Sequence, residues 1–283
     1  MMTGMIADRF LWLLPLFVFI GGGCYFFSPG KIESRSFTDI KNQVESVGCE
    51  NSGRFSAVKK LFTDVGANED DIAVETYDGV ENIVLTLGGK FDETVYVGAH
   101  YDKTTLGCGV IDNWTGVVIV ANLYRSFREK RNEKTYKFIA FGKEERGLVG
   151  SKAMVARMNE NAKKDSCAMI NFDSFGFSDT WAPESISNNN LVVLAKEVAK
   201  KRNAEFEIRE IKGASSDSKS FLDAGIPAIS LSGLGKNWRN YIHRDKDILK
   251  NVSMNKVYEN YLFSIDYLKE IDSKNCAEFR ARS

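Results

Sequence analysis

Neither sign of charge is in excess. Lysine plus arginine total 38, and aspartate plus glutamate total 38, in 283 residues. No basic surplus exists to collect phosphates, which argues against nucleic acid as a partner. Proline is scarce, at four. There is no internal repeat and no low-complexity tract, so neither a solenoid nor a disordered scaffold is indicated. Histidine is scarcer still: the chain has two, His100 and His243. Beyond Cys24 the cysteines are Cys49, Cys108, Cys167 and Cys276, spaced like no zinc ribbon and no redox pair. Disulfides are allowed if the domain is exported, but the spacing sets no connectivity, and buried thiols account for these residues equally well. What is present, 43% hydrophobic and 27% charged residues, suits one sizeable globular domain with a proper core.

The one long uncharged run is FLWLLPLFVFIGGGCYFFSPG, residues 10–30. It is long enough to span a bilayer. Pro15, Gly21 to Gly23 and the terminal position argue against a core helix. Residues 1–30 read as a signal peptide or an N-terminal membrane anchor, with an uncleaved anchor favoured. Cys24 offers a lipoprotein site instead, although Gly21 stands where an aliphatic residue is usual. Residues 31–36 read as a linker and 37–283 as the folded domain, exported and either anchored or secreted.

Apolar positions three and four apart predict helices over FTDIKNQVESV and RFSAVKKLFTDVG. The pattern then changes to short β-branched runs ended by glycine or polar residues. ENIVLTLGG, ETVYVGAHYD, TYKFIAFG, SCAMINFD, EFEIREI and IPAISLSG are predicted strands. NWTGVVIVANLYRSFREK, GSKAMVARMNEN, NNLVVLAKEVAKKR, SDSKSFLDAG and SMNKVYENYLFSIDYLKEI are predicted helices. Strands alternating with helices imply an α/β fold: a three-layer α/β/α sandwich with a mixed, largely parallel central sheet.

In such sheets ligands bind beyond the carboxyl ends of the strands. His100 and Asp102 end one strand. Alternate residues on a strand project together, so these two face the same way. Glu144 and Glu145, within FGKEERGLVGS, end another strand, and Asp173 ends a third. Asp112 precedes a helix, and His243 follows the strand Ile226 to Leu231. If the sheet is parallel there, all of these groups share one rim. A lone histidine is usually a satisfied core or surface residue, but here both imidazoles meet several carboxylates. Nitrogen and oxygen donors of this kind suit zinc. So many carboxylates brought together without a cation would have sharply raised pKa values. The constellation implies a metal site, with room for two ions.

GAHYDK, IDNWTG, FGKEERGLVGS, NFDSFG and HRDKD occur here in order, each at its strand end. Together they resemble the two-zinc exopeptidases typified by secreted bacterial leucyl aminopeptidases, over roughly residues 37–270. The resemblance implies two zinc ions, with His100 on one and His243 on the other, and Asp112 bridging them. It implies that Glu145 serves the zinc opposite His243's, or shares that role with Asp173 across the pair; both pairings stay open. Asp173 completes the ligand set. Asp102 would orient the His100 imidazole and Glu144 would be the general base, acting on peptides with a free N-terminus. The family also carries a cis peptide after its bridging aspartate, here Asp112–Asn113, and Asp247 would support the loop that bears His243. Two departures stand out. Ser218 occupies a place often held by histidine, and the short gap from His100 to Asp112 implies a trimmed rim loop and a more open pocket.

Glutaminyl cyclase shares this fold but uses one zinc, and usually has serine where this chain has Asn113; DNWTG therefore favours the peptidase. A catalytically inactive binding ectodomain is the third reading, and such chains typically lose ligands that this one keeps. A carboxypeptidase would need an arginine-lined pocket and further domains. REKRNEK, residues 128–134, reads as a solvated helix end and turn. Trp181 and Trp238 lie near predicted rim loops, where pocket lining and plain packing are both open.

Overall fold

The computed structural model describes residues 32–213 and 215–281. The expected leader, residues 1–30, lies outside the described residues. Helices α1 (Phe37–Glu45) and α2 (Arg54–Asp64) come first, followed by β1 (Ala73–Tyr77), β2 (Val80–Leu87) and β3 (Phe91–His100). Next come α3 (Thr115–Phe127), β4 (Lys134–Phe141), α4 (Val149–Ala156), α5 (Glu160–Asp165) and β5 (Ser166–Phe172). The chain continues through β6 (Trp181–Pro183), α6 (Asn189–Lys201), β7 (Glu207–Arg209), α7 (Asp217–Asp223) and β8 (Ala228–Leu231). It closes with α8 (Met254–Ser273) and α9 (Cys276–Arg280).

Six strands form the main sheet in the order β1-β2-β4-β3-β5-β8. The four strands β4, β3, β5 and β8 run parallel, while β2 is antiparallel to both β1 and β4. The expected mixed, largely parallel sheet is what forms. Strand period two sorts the core. Val95, Val97, Ala99, Tyr136, Phe138, Ala140, Ala168, Ile170, Ile229 and Leu231 pack beneath α1, α2, α3, α6 and α8. Their neighbours Tyr96, Ile139, Phe141, Met169 and Ala228 pack on the other face against α4 and α7. Three layers result, and the crossover helices bury both sheet faces.

The structure differs from the expected elements in four places. Strand β1 carries little hydrophobic signal, because it is an edge strand with only Tyr77 buried. The single helix expected over residues 150–161 breaks after Ala156, and the Asn159 side chain caps α5 by accepting from the Ala162 N–H. Strand β7 leaves the main sheet and pairs in parallel with the short β6. Helix α9 is too short for its periodicity to register, and an Asn275–Glu278 capping box starts it.

The four cysteines among the described residues are paired. Cys49–Cys108 joins the α1–α2 connection to the loop after β3, and Cys167–Cys276 joins β5 to α9. Two disulfides fit an oxidising compartment. Among the described residues, no helix is long and apolar enough to cross a membrane.

Candidate metal centre

The parallel strands end level with one another. His100 on β3 pairs with Phe141 on β4, and Phe172 on β5 with Leu231 on β8. Beyond β4 the chain reverses in a single tight turn, Glu144–Arg146, bracketed by left-handed backbone at Lys143 (φ 55°) and Gly147 (φ 96°). This turn lets two adjacent glutamates reach the rim, which an extended strand would send to opposite faces. The Asp102 carboxylate holds the turn by accepting from the Glu144 N–H at 2.9 Å and the Glu145 N–H at 3.2 Å. His100 Nδ1 lies 3.1 Å from the Asp102 main-chain carbonyl and 3.7 Å from its carboxylate. The expected role of Asp102 is thus divided: its carbonyl orients the imidazole, and its carboxylate shapes the acidic turn.

Asp112 sits in the loop before α3, and its peptide bond to Asn113 is cis, as the resemblance implied. Asp247 grips this loop, accepting from the Ile111 N–H at 2.7 Å and the Asp112 N–H at 3.2 Å. Asp247 therefore positions the Asp112 loop as well as the segment bearing His243. The Asn113 side chain ties the loop to β5, donating to the Phe172 carbonyl at 2.7 Å and accepting from the Ser174 N–H at 3.0 Å. Gly116 leaves room for this, since a Cβ there would lie 2.2 Å from Asn113 Oδ1.

The two oxygens of Asp112 face different imidazoles. Oδ1 is 3.1 Å from His100 Nε2, and Oδ2 is 3.0 Å from His243 Nε2. Glu145 Oε2 is 3.1 Å from the same His243 nitrogen, while Asp173 Oδ1 is 3.7 Å from His100 Nε2. Two triads share Asp112, His100–Asp112–Asp173 and Asp112–Glu145–His243, and a third set, His100–Glu144–Glu145, overlaps them; in each the donor atoms lie within 4.8 Å of one another. Of the two pairings left open, the 3.1 Å approach of Glu145 to His243 favours the one that sets Glu145 on His243's side. His243 has a left-handed backbone (φ 56°), a strained conformation of the kind kept at functional sites, and is 51% exposed, whereas His100 is 1% exposed.

The electrostatics follow from this crowding. Burial pulls the His100 pKa down, but Glu144 and the oxygens of Asp102, Asp112 and Asp173 outweigh it and hold the imidazole well above its ordinary value. Hydrogen bonds to Asp112 and Glu145 raise His243 to about 10. Burial pushes Asp112 up, yet its two imidazole partners win and lower it below the usual carboxylate range. Burial, with Asp173, Asp217 and Asp112 nearby, raises Glu144 well above its ordinary value, despite the opposing pull of His100. The surrounding carboxylates thus favour the protonated form of both imidazoles. Cations binding there would displace those protons. Glu145 Oε1 is buried without a hydrogen-bond partner, an acceptor left over for a cation. The donor set therefore fits zinc at both triads.

Two participants escaped the sequence reading. Asp217 opens α7 and is fully buried, with the Ser151 hydroxyl beside its carboxylate. Burial raises its pKa to about 7. Its place in SSDSKSF was the available signal, but that stretch reads equally well as an ordinary helix start. Arg54 gave no signal, since it lies 58 positions before Asp112 on an amphipathic helix. It is buried over the Trp114 ring at 5.4 Å and donates to the Cys108 and Gly109 carbonyls of the trimmed loop. Serines complete the surroundings: Ser174 donates to Asp173 at 3.0 Å, Ser216 donates to its other oxygen, and Ser218 pairs with Ser230 at 2.8 Å.

His100, Asp112, Glu144, Glu145, Asp173 and His243 line one cavity of about 420 Å³. Trp181 and Trp238 line it too, with Ile186, Ile211, Leu234 and Ile242. The chain's sequence matches the profile of peptidase family M28 over residues 82–266. It belongs to that family. It is 33% identical over 142 residues to aminopeptidase YwaD of Bacillus subtilis, covering 48% of this chain and 31% of that one. It is 26% identical over 237 residues to a probable leucine aminopeptidase of Arthroderma otae, covering 76% of this chain and 63% of that one. The chain therefore spans less than two thirds of the length of these relatives. Among solved structures, a zinc aminopeptidase from Bacillus subtilis superposes with TM-score 0.62 at 23% identity, over 70% of this chain and 52% of that one. The glutaminyl cyclase of an Acidobacteriales bacterium superposes with TM-score 0.73 at 14% identity, over 88% and 97%. Both likenesses speak to fold.

Proposed function

We propose that this chain is a zinc-dependent aminopeptidase. The observation that carries the reading is Asp112, whose two oxygens each face a different imidazole while Asp173 and Glu145 stand at either end. In this reading His100, Asp112 and Asp173 hold one zinc ion, and Asp112, Glu145 and His243 hold a second. When bound, the metal supplies Lewis acidity toward a peptide carbonyl and makes water acidic enough to attack near neutral pH. Glu144 takes the proton of the attacking water and returns it to the leaving amine. Asp102 holds Glu144 in place through the backbone N–H groups of the turn. The carboxylates around the site attract the free N-terminal ammonium of a peptide, and the apolar wall of Trp181, Leu234, Trp238 and Ile242 accepts an apolar first side chain. The disulfides support export, either secreted or anchored by the N-terminal segment.

The purified full-length protein should release nitroaniline from leucine p-nitroanilide, lose that activity with a chelator, and regain it with zinc. Metal analysis should return two zinc ions per chain. Activity that survives thorough chelation would overturn the proposal. One zinc per chain, with conversion of an N-terminal glutamine to pyroglutamate and release of ammonia, would replace it with the cyclase reading.

A further inference from the structure

The cavity is polarised along its depth. Its floor carries Asp112, Glu144, Glu145 and Asp173, with Asp112 only 5% exposed. Its wall is apolar: Leu234 and Trp181 are buried and cluster with Ile211, Trp238 and Ile242. Its outer edge carries two cations, Lys212 and Arg239, both exposed and both lining the same cavity. Each directly follows a wall residue, Ile211 or Trp238, in the sequence. Neither makes an ion pair among the described residues, although carboxylates are numerous in this chain. The Arg239 guanidinium lies over the Trp238 ring at 4.4 Å, which limits its freedom while leaving its N–H edges open.

Resting on the aminopeptidase reading, we infer that Arg239 and Lys212 form a subsite for the C-terminal carboxylate of a short peptide. The substrate class is then a free dipeptide or tripeptide with an apolar first residue. Its ammonium end meets the carboxylates of the floor, and its carboxylate end meets the two cations at the mouth. Size agrees with charge. An extended tripeptide spans roughly 10 Å, and a cavity of about 420 Å³ lies near the small end of the range for ligand sites. Arginine suits the task because its fork engages both oxygens of a carboxylate.

The test compares Leu-Gly-Gly with Leu-Gly-Gly-amide on the full-length zinc-loaded protein, reading the ratio of kcat/KM for acid over amide. The expected ratio is about fivefold to tenfold at low salt, set by one exposed but bidentate ion pair and a second cation. It should fall toward one in 0.5 M NaCl, where such pairs are screened within about 3–5 Å. In the Lys212→Gln/Arg239→Gln double variant it should fall toward one at low salt as well. The ratio is internal to each protein, so a partial loss of folded enzyme does not disturb it. If the double variant yields no folded protein, the salt titration of the wild type decides alone. Equal rates on acid and amide by the wild type, or a preference that persists in the double variant or at high salt, would overturn the inference. Failure to hydrolyse either peptide with zinc bound would instead overturn the aminopeptidase reading beneath it.

Discussion

The two faces of the same four parallel strands are built for different purposes. On the face toward α3 and α8 the alternate positions are hydrocarbon or aromatic, as at Val97, Phe138, Ile170 and Ile229. On the face toward α4 and α7 the alternation begins apolar, at Tyr96, Ile139 and Met169, and turns polar towards the strand ends. There Asn171 donates to Ser230 at 3.1 Å, Ser151 pairs with Ser220 at 2.9 Å, and Asp217 is buried. The dry face supplies rigidity. The wet face spends some of that stability on buried polar groups that keep the rim in shape. The lesson is that one residue of strand parity separates the core from the surroundings of the site.

Each comparison across the sheet can be broken in turn. The largest effect is expected where the rim does chemistry: Glu144→Gln should lower kcat by about 10²–10⁴-fold, with zinc content and Tm unchanged. Lost zinc in that variant would move Glu144 into the ligand set. On the dry face, Phe138→Ala should cost roughly 3–5 kcal/mol of stability by denaturant unfolding, and a value under 1 kcal/mol would mean this face repacks freely. At the edge of the rim, Asp247→Asn weakens the grip on the Ile111 and Asp112 N–H groups. It should loosen zinc binding by about 10–100-fold, measured by competition with a chelating dye; unchanged affinity would reduce Asp247 to loop packing.

The smallest effect concerns Asp217, and its sign sharpens the contrast. Burial raises its pKa from 3.8 to about 7, so the folded protein keeps a proton that the unfolded chain releases. Stability from this group is full below about pH 4 and is lost as pH rises toward 7. Asp217→Asn should therefore raise the Tm of chelator-treated protein by several degrees at pH 8 and leave it nearly unchanged at pH 4. An equal shift at both values would show that Asp217 does not titrate between them.

Much of the site was legible in the sequence because its parts sit at strand ends. His100, Glu144, Glu145 and Asp173 each follow a β-branched run, and parallel strands deliver their ends to one rim whatever the strand order. The edge strand β1, the break before α5 and strand β6, with its pairing to the expected β7, were not legible, because short or half-exposed elements carry little periodic signal. Asp102 was found, but its divided use of carbonyl and carboxylate was not, since that depends on where the next strand's turn arrives.

By itself the sequence determined the α/β alternation, the rim, the scarcity of histidine that singles out His100 and His243, and the balanced charge. These are local properties, written in spacing and composition. The tertiary structure alone decided that Glu145 stands with His243, that Cys49 meets Cys108 and Cys167 meets Cys276, and that Arg54 supports the loop before Asp112. Each of those facts joins residues separated by dozens of positions. No periodicity reports such distances; they are settled only when the helices close over the sheet and the loops are packed against one another.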